Sequence, residues 1–147
     1  MWEILICFMA TVAFAIIFNT PYRLLWRIGC IGILAWMIYS SLPKIDVSLV
    51  PATALASFAA SLVSYWLARR HRVPVTTFTI PGIIPLVPGG KAYETMLAFV
   101  DENYIEGLTQ GAETLLHAGA IASGIVFALS IFSIGRGAGQ RYETKNR

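Results

Sequence analysis

The chain has 147 residues, of which 56% are hydrophobic and only 13% are charged, and its formal net charge is +3. So little charge cannot cover the surface of a water-soluble domain, and the mean hydropathy of +0.66 indicates lipid as the main solvent. The basic residues form short clusters between apolar runs, without aromatic residues interleaved in a soluble stretch. Nucleic acid is therefore not an expected partner.

Five apolar stretches are long enough to cross a bilayer, which takes roughly 20 helical residues and fewer where neighbouring groups thin the membrane. In chain order they are residues 2–18, 24–42, 50–68, 76–100 and 115–134. The first stretch is closed by Asn19, Thr20 and Pro21, and the second stops at a proline, which lacks an amide donor. We therefore predict an all-α, polytopic membrane protein with about five transmembrane helices, forming a single transmembrane domain over residues 1–147.

Basic residues fall mainly in the first, third and last connections of this arrangement. They are Arg23, Arg27, Arg69, Arg70, Arg72, Arg136, Arg141, Lys145 and Arg147. By the positive-inside rule, the amino terminus lies outside and the basic tail, residues 135–147, is cytoplasmic. The count also favours an odd number of crossings, because an uncrossed fourth stretch would separate the tail from the basic cluster at residues 69–72.

The fourth stretch contains three prolines and three glycines within the ten residues from Pro81 to Gly90. Each interior proline removes a helical hydrogen bond, so this stretch is predicted to be a broken helix with free backbone groups. Such groups are costly in hydrocarbon and must be buried in protein or line a wet cavity. A second half-helix starting near Gly89 would offer its free amides to a carboxylate. The alternative is a kink that only shapes the packing.

Lys91 and Glu94 follow the break at a spacing that places them on one helix face, close enough to pair. Charged residues inside a span usually mark a substrate path, so Lys91 is a candidate partner of a carboxylate and Glu94 of an ammonium group or a proton. In the alternative interpretation both lie near the outer interface, with Lys91 extended towards the headgroups and Glu94 solvated.

Two further features concern packing. Ala52, Ala56, Ala60, Ser64 and Ala68 repeat every four residues and predict a close helix contact, within this chain or with a partner. Residues 103–114 have apolar positions at helical spacing, which indicates either an amphipathic helix on the outer surface or an early start of the fifth span.

The sequence contains no motif for an enzyme or a bound cofactor. A nucleophile elbow, a phosphate loop and the H-E-x-x-H pattern are all missing. His71 and His117 stand at the ends of spans without other metal ligands nearby in sequence, and we interpret both as interfacial. We therefore expect no enzymatic activity, no metal and no cofactor.

Two segments resemble a known family. They read F-N-T-P-Y-R-L-L at residues 18–25 and T-F-T-I-P-G-I-I-P-L-V-P-G-G-K-A-Y at residues 77–93. In this order they are similar to the small-subunit half of the threonine/serine exporter family, the YjjB-like proteins, and the resemblance extends over essentially the whole chain. The I-P-L-V-P-G core is its most specific part.

The resemblance implies export of threonine, serine or a related carboxylate such as succinate across the bacterial inner membrane. It also implies a larger membrane subunit as partner, with a higher oligomer possible. The matching positions are Asn19, Pro21 and Arg23 in the first segment and Pro85, Pro88, Gly89 and Tyr93 in the second. Lys91 and Glu94 are not positions that the family pattern requires.

Two functions from different classes are compatible with these features. The first is an exporter subunit in which residues 85–90 form part of the path and Asn19 and Arg23 lie near its cytoplasmic mouth. The second is a non-transporting scaffold in which the broken helix shapes an interface. A zwitterionic amino acid would suit Lys91 together with Glu94, whereas a dicarboxylate would prefer cationic and amide donors alone.

Overall fold

The computed structural model describes residues 2–143, except for the side chains of residues 45 and 134–143. Its helices are α1 (Trp2–Ile17), α2 (Tyr22–Ser41), α3 (Leu49–His71), α4 (Thr76–Ile83), α5 (Gly89–Val100) and α6 (Tyr104–Glu143), with 3-10 turns at Leu42–Ile45 and Ile84–Leu86. The described residues form no strands, which confirms the prediction of an all-α protein. The basic side chains predicted for the tail at residues 135–147 lie outside the described part.

Three helix ends share one hydrogen-bonding pattern. At the end of α1, the amide of Asn19 donates to the carbonyl of Ile16 and the amide of Thr20 to that of Ala15. Asn19 has a φ of 54°, the left-handed conformation that this capping motif requires and that asparagine tolerates better than most residues. The helices α3 and α5 end in the same way, at Arg72 and Glu102.

The helix α3 lies at the centre of the bundle. It packs against α2, α4 and α6, while α1 packs against α2. The small side chains predicted as a contact surface are all buried here: Ala52, Ala56, Ala60, Ser64 and Ala68, with Ser57 and Ser61 beside them. This surface is used within the chain, because a Cβ atom at Gly124 of α6 would clash with the backbone of Ala54 and Phe58.

The helices α3 and α6 run parallel. Going along α3, Thr53 contacts His117, Ser57 donates to the carbonyl of Ile121 at 3.2 Å, and Tyr65 stacks on Phe132 with ring centroids 5.0 Å apart. The start of α3 is therefore level with Glu113. At 1.5 Å per residue, the nine residues that precede Glu113 in α6 carry this helix about 14 Å beyond the start of α3.

The helix α5 packs along this extended part of α6, so the two form a helical hairpin. Phe99 lies against Gly107 and Thr95 against Gly111, where an added Cβ atom would stand 3.2 and 3.3 Å from its neighbour. Residues 103–114 are thus the beginning of α6 from Tyr104 onward, and the two glycines allow the close approach of α5.

Three helical segments of the described part are long and apolar enough to cross a membrane. They are Tyr22–Lys44, Leu49–His71 and Tyr104–Ser133. Trp2–Ile17 and Thr76–Leu86 are apolar but shorter. The fold is thus that of a helical membrane protein.

Candidate functional site

The segment with the proline and glycine cluster changes conformation three times. The helix α4 ends at Ile83, a 3-10 turn covers Ile84–Leu86, and Val87 is extended before α5 begins at Gly89. The prolines at positions 85 and 88 explain the interruption, since each lacks an amide and restricts the residue before it. The amide of Val87 donates to the carbonyl of Ile84 at 3.1 Å, and no side chain caps α5.

An open cavity of about 390 Å³ lies beside this segment, and we call it the Pro88 cavity. Its lining consists of Trp36, Tyr39, Pro85, Leu86, Val87, Pro88, Gly89, Gly90, Lys91, Glu94 and His117. Six of the predicted site residues, at positions 85, 88, 89, 90, 91 and 94, thus lie around one space. Tyr93 is predicted there too, but it is 68% exposed and does not line the cavity.

The two glycines at the start of α5 leave this cavity open. A Cβ atom at Gly89 or Gly90 would meet nothing within 4 Å, and neither glycine has a positive φ. The fold therefore does not require glycine at these positions. Their effect is to keep side chains away from the first turn of α5, which leaves room for another molecule near its amides.

Lys91 forms an ion pair with Glu113 of α6. The sequence suggested a partner within α5, but Lys91 pairs across the hairpin instead of with Glu94. Because Glu113 is level with the start of α3, the pair lies at the end of the bundle rather than at its middle. Both side chains are partly exposed there, Lys91 at 35% and Glu113 at 52%.

His117 is buried, with only 4% of its surface exposed. Its Nδ1 lies 3.0 Å from the hydroxyl of Thr53, and that hydroxyl donates its only proton to the carbonyl of Leu49 at 2.8 Å. Nδ1 must therefore carry the proton and donate to Thr53, which leaves Nε2 of the neutral ring as an acceptor. This assignment follows from the hydrogen-bond network.

The sequence did not predict that His117 is buried in contact with Thr53, or that Glu113 pairs with Lys91. The two residues are four positions apart on α6, which places them on one helix face and is the single local signal of a cluster. Thr53 is 64 residues away from His117, so its contact depends on the pairing of α3 with α6.

A second, smaller cleft lies at the opposite end of α4, and we call it the Asn19 cleft. It has a volume of about 170 Å³ and is lined by Phe18, Asn19, Thr20, Pro21, Thr76, Thr77 and Ile80. The cleft therefore joins the two sequence segments on which the family resemblance rests. Asn19 and Pro21 belong to it as predicted sites, whereas Arg23 does not line it and contacts the ring of Tyr22.

Two buried hydroxyl groups lie in the helices between these openings. Ser61 of α3 and Thr79 of α4 have no hydrogen-bond partner for their hydroxyl oxygens among the described residues. Serine and threonine in a helix usually bond to a carbonyl one turn earlier, as Ser64 does with Ala60 at 2.8 Å. Unpaired buried hydroxyls are costly, so these two positions stand out from buried hydroxyls that have a partner, such as those of Ser57 and Ser64.

The described residues contain no group of three or more histidine, cysteine or acidic side chains placed to hold a metal ion. The polar groups around the Pro88 cavity belong to the residues that line it. They comprise the ammonium group of Lys91, the carboxylate of Glu94, the imidazole of His117 and the first amides of α5, together with the hydroxyl of Tyr39 and the indole N–H of Trp36.

Comparison with known proteins identifies the family. The family model described as "Threonine/Serine exporter, ThrE" matches residues 3–131. An uncharacterized protein of Haemophilus influenzae is 26% identical over 136 residues, which cover 89% of this chain and 46% of that protein. A threonine/serine exporter of Corynebacterium glutamicum is 35% identical over 77 residues, which cover 52% of this chain and 16% of that protein.

The chain thus spans less than half the length of either relative, and no solved structure matches it. The family match nevertheless extends over most of the chain, including both openings. The chain belongs to the threonine/serine exporter family.

Proposed function

We propose that this chain is the small subunit of a two-component exporter of small carboxylate metabolites, either threonine and serine or a dicarboxylate such as succinate. The observation that carries the proposal is the Pro88 cavity, in which Lys91 and the uncapped start of α5 surround an open space. A cation and helix amides are the groups that bind a carboxylate. Membership of an exporter family supports transport rather than catalysis.

The substrate would pass along α4 between the two openings. The Asn19 cleft is the entrance, the Pro88 cavity is the exit, and the unpaired hydroxyls of Ser61 and Thr79 provide polar positions on the way. Each would gain a hydrogen bond when a polar substrate or water reaches it. Asn19, Pro21 and Arg23 lie at the entrance end.

The proposed topology has five crossings in the bacterial inner membrane, with the amino terminus outside and the carboxyl terminus cytoplasmic. The short segment Thr76–Leu86 serves as the fourth crossing. Its two ends lie beside the two ends of α1. Thr76 lines a cleft together with Phe18, and Pro85 lines another together with Glu3 and Cys7. On this account the break lies near the outer surface, and α5 with the start of α6 forms an outer hairpin.

A larger subunit is the proposed partner. The Haemophilus relative is about twice as long as this chain, and the match covers 46% of it, which leaves room in that protein for a second component. Exposed apolar side chains on the hairpin, such as Val100 at 76%, Ile105 at 83% and Leu108 at 66%, offer contact area for it. The same observation supports the alternative function, a scaffold subunit that does not itself transport.

Reconstitution separates these two functions. The chain is purified with its larger partner and inserted into vesicles loaded with labelled threonine, serine or succinate, and efflux is measured. The exporter proposal expects flux only when both chains are present. Flux through the partner alone would favour the scaffold.

A further inference from the structure

His117 is a buried polar residue that lines the Pro88 cavity, and the proposed function assigns it no role. Its ring is 4% exposed, it lines the cavity, and its Nδ1 is engaged by Thr53 at 3.0 Å. Nε2 makes no hydrogen bond to the described residues. Because Thr53 already donates to Leu49, the neutral ring is held in the form in which Nε2 accepts.

The other groups around the cavity limit what Nε2 can bind. A carboxylate would be repelled by the lone pair of a neutral imidazole, and an ammonium group would share the cavity with the positive charge of Lys91. An ammonium group has a better partner in the carboxylate of Glu94. A hydroxyl group meets neither conflict, because it is neutral and can donate its proton to Nε2.

We propose that His117 determines specificity in this exporter by accepting a hydrogen bond from the hydroxyl group of the substrate. Thr53 is the positioning residue that keeps Nε2 unprotonated. Lys91 binds the carboxylate at the same time, since its ammonium group has three donors and its bond to Glu113 uses only one. The inference rests on the proposed function and names the residue that would distinguish a substrate with a hydroxyl group from one without it.

A site built to pair with a hydroxyl group rejects analogues that lack one, because its own polar group is then left unpaired. The test compares pairs of similar shape in vesicles that contain both subunits: threonine with 2-aminobutyrate, and serine with alanine. The wild-type protein is expected to export the hydroxylated member at least about tenfold faster at low concentration. O-methylserine, which resembles threonine in size but cannot donate, should be exported as poorly as alanine.

His117→Leu is expected to bring both export ratios close to one, because the substrate hydroxyl then has no acceptor at this position. His117→Gln retains a carbonyl acceptor and should keep part of the preference. Unchanged ratios in a His117→Leu protein of normal abundance would overturn the inference and leave the proposed function intact. If that variant does not accumulate in the membrane, the export rates of the wild-type protein provide the test. Equal export of serine, alanine and O-methylserine would overturn the inference. If the wild-type complex exports succinate but none of these amino acids, the inference fails and the proposed function stands; if it exports neither class, both fail.

Discussion

Lys91 in α5 and Glu113 in α6 form an ion pair at the rim of the Pro88 cavity, across the hairpin that these two helices make. The pair places the single ammonium group of the cavity beside the first turn of α5. A lysine in this position can hold the two helices together and bind a carboxylate, and the two roles can be separated by substitution.

Replacing Lys91 tests the second role. Lys91→Gln removes the cation and leaves a neutral polar side chain that is slightly shorter, and export is expected to fall by about tenfold or more, because a charged hydrogen bond to the substrate is lost. Membrane abundance should not change, since partly exposed ion pairs contribute little to stability. Glu113→Gln is the matched control and should retain most of the export. Equal losses in both variants would assign the pair a structural role only.

Two glycines of α6 are expected to respond to alanine substitution with opposite changes in stability, because only one of them packs closely against α3. In Gly124→Ala the new methyl group meets the hydroxyl of Ser57 and the backbone of Phe58, and overpacking of this kind costs about 1–3 kcal/mol. At Gly119 the space is open, so Gly119→Ala should stabilise the helix by about 0.5–1 kcal/mol. Thermal unfolding of the detergent-solubilised variants measures both changes. A Gly119→Ala protein that is as destabilised as Gly124→Ala would contradict the assigned packing.

Asn19 ends α1 in the left-handed conformation and is also proposed to line the substrate path. A substitution by glycine separates these two roles. Asn19→Gly keeps the left-handed residue that ends α1, so the protein should fold normally, whereas Asn19→Ala should lose about 1–2 kcal/mol. If the amide side chain contributes to the path at the Asn19 cleft, export by the glycine variant falls despite normal stability. Full export by Asn19→Gly would show that this residue only terminates the helix.

The unpaired hydroxyl of Thr79 predicts a variant that is more stable but less active. Thr79→Val keeps the shape of the side chain and removes a buried oxygen without a partner, so stability is expected to rise by about 1 kcal/mol. Export should slow, because the path through the bundle loses a polar position. The matched control is Ser64→Ala, in which the lost hydroxyl has a backbone partner, so that variant is not expected to become more stable. An unaltered export rate in Thr79→Val would move the path away from this part of α4.

The helices were predictable from the sequence because each apolar run is closed by a residue with a defined backbone effect. Pro21 and Asn19 separate α1 from α2, and α3 has small residues at every fourth position. The proline and glycine cluster does not interrupt the helix at every member: Pro81 and Gly82 lie inside α4, and the helix ends only at Ile83, before the prolines at positions 85 and 88. The position of this break relative to the bundle was not predictable, because composition does not specify depth in the membrane.

The chemical partners within the site could not be predicted. Lys91 and Glu113 are 22 residues apart, and Thr53 and His117 are 64 apart, so both contacts arise only after α6 has packed on α3 and α5. A local pattern favoured Lys91 with Glu94 because side chains three positions apart in a helix are neighbours. In the folded chain, Lys91 instead pairs with Glu113 of α6.

The most direct test of the account concerns the space in front of α5. Gly89→Leu adds a side chain at a position that lines the Pro88 cavity, and Gly119→Leu adds the same side chain at a position of α6 that does not line it; an added Cβ atom meets nothing within 4 Å at either glycine. Efflux of labelled substrate is measured for both variants together with the larger subunit, at equal abundance in the membrane. Gly89→Leu is expected to abolish efflux, whereas Gly119→Leu is expected to retain it. Wild-type efflux from Gly89→Leu would contradict the claim that the substrate passes through this cavity.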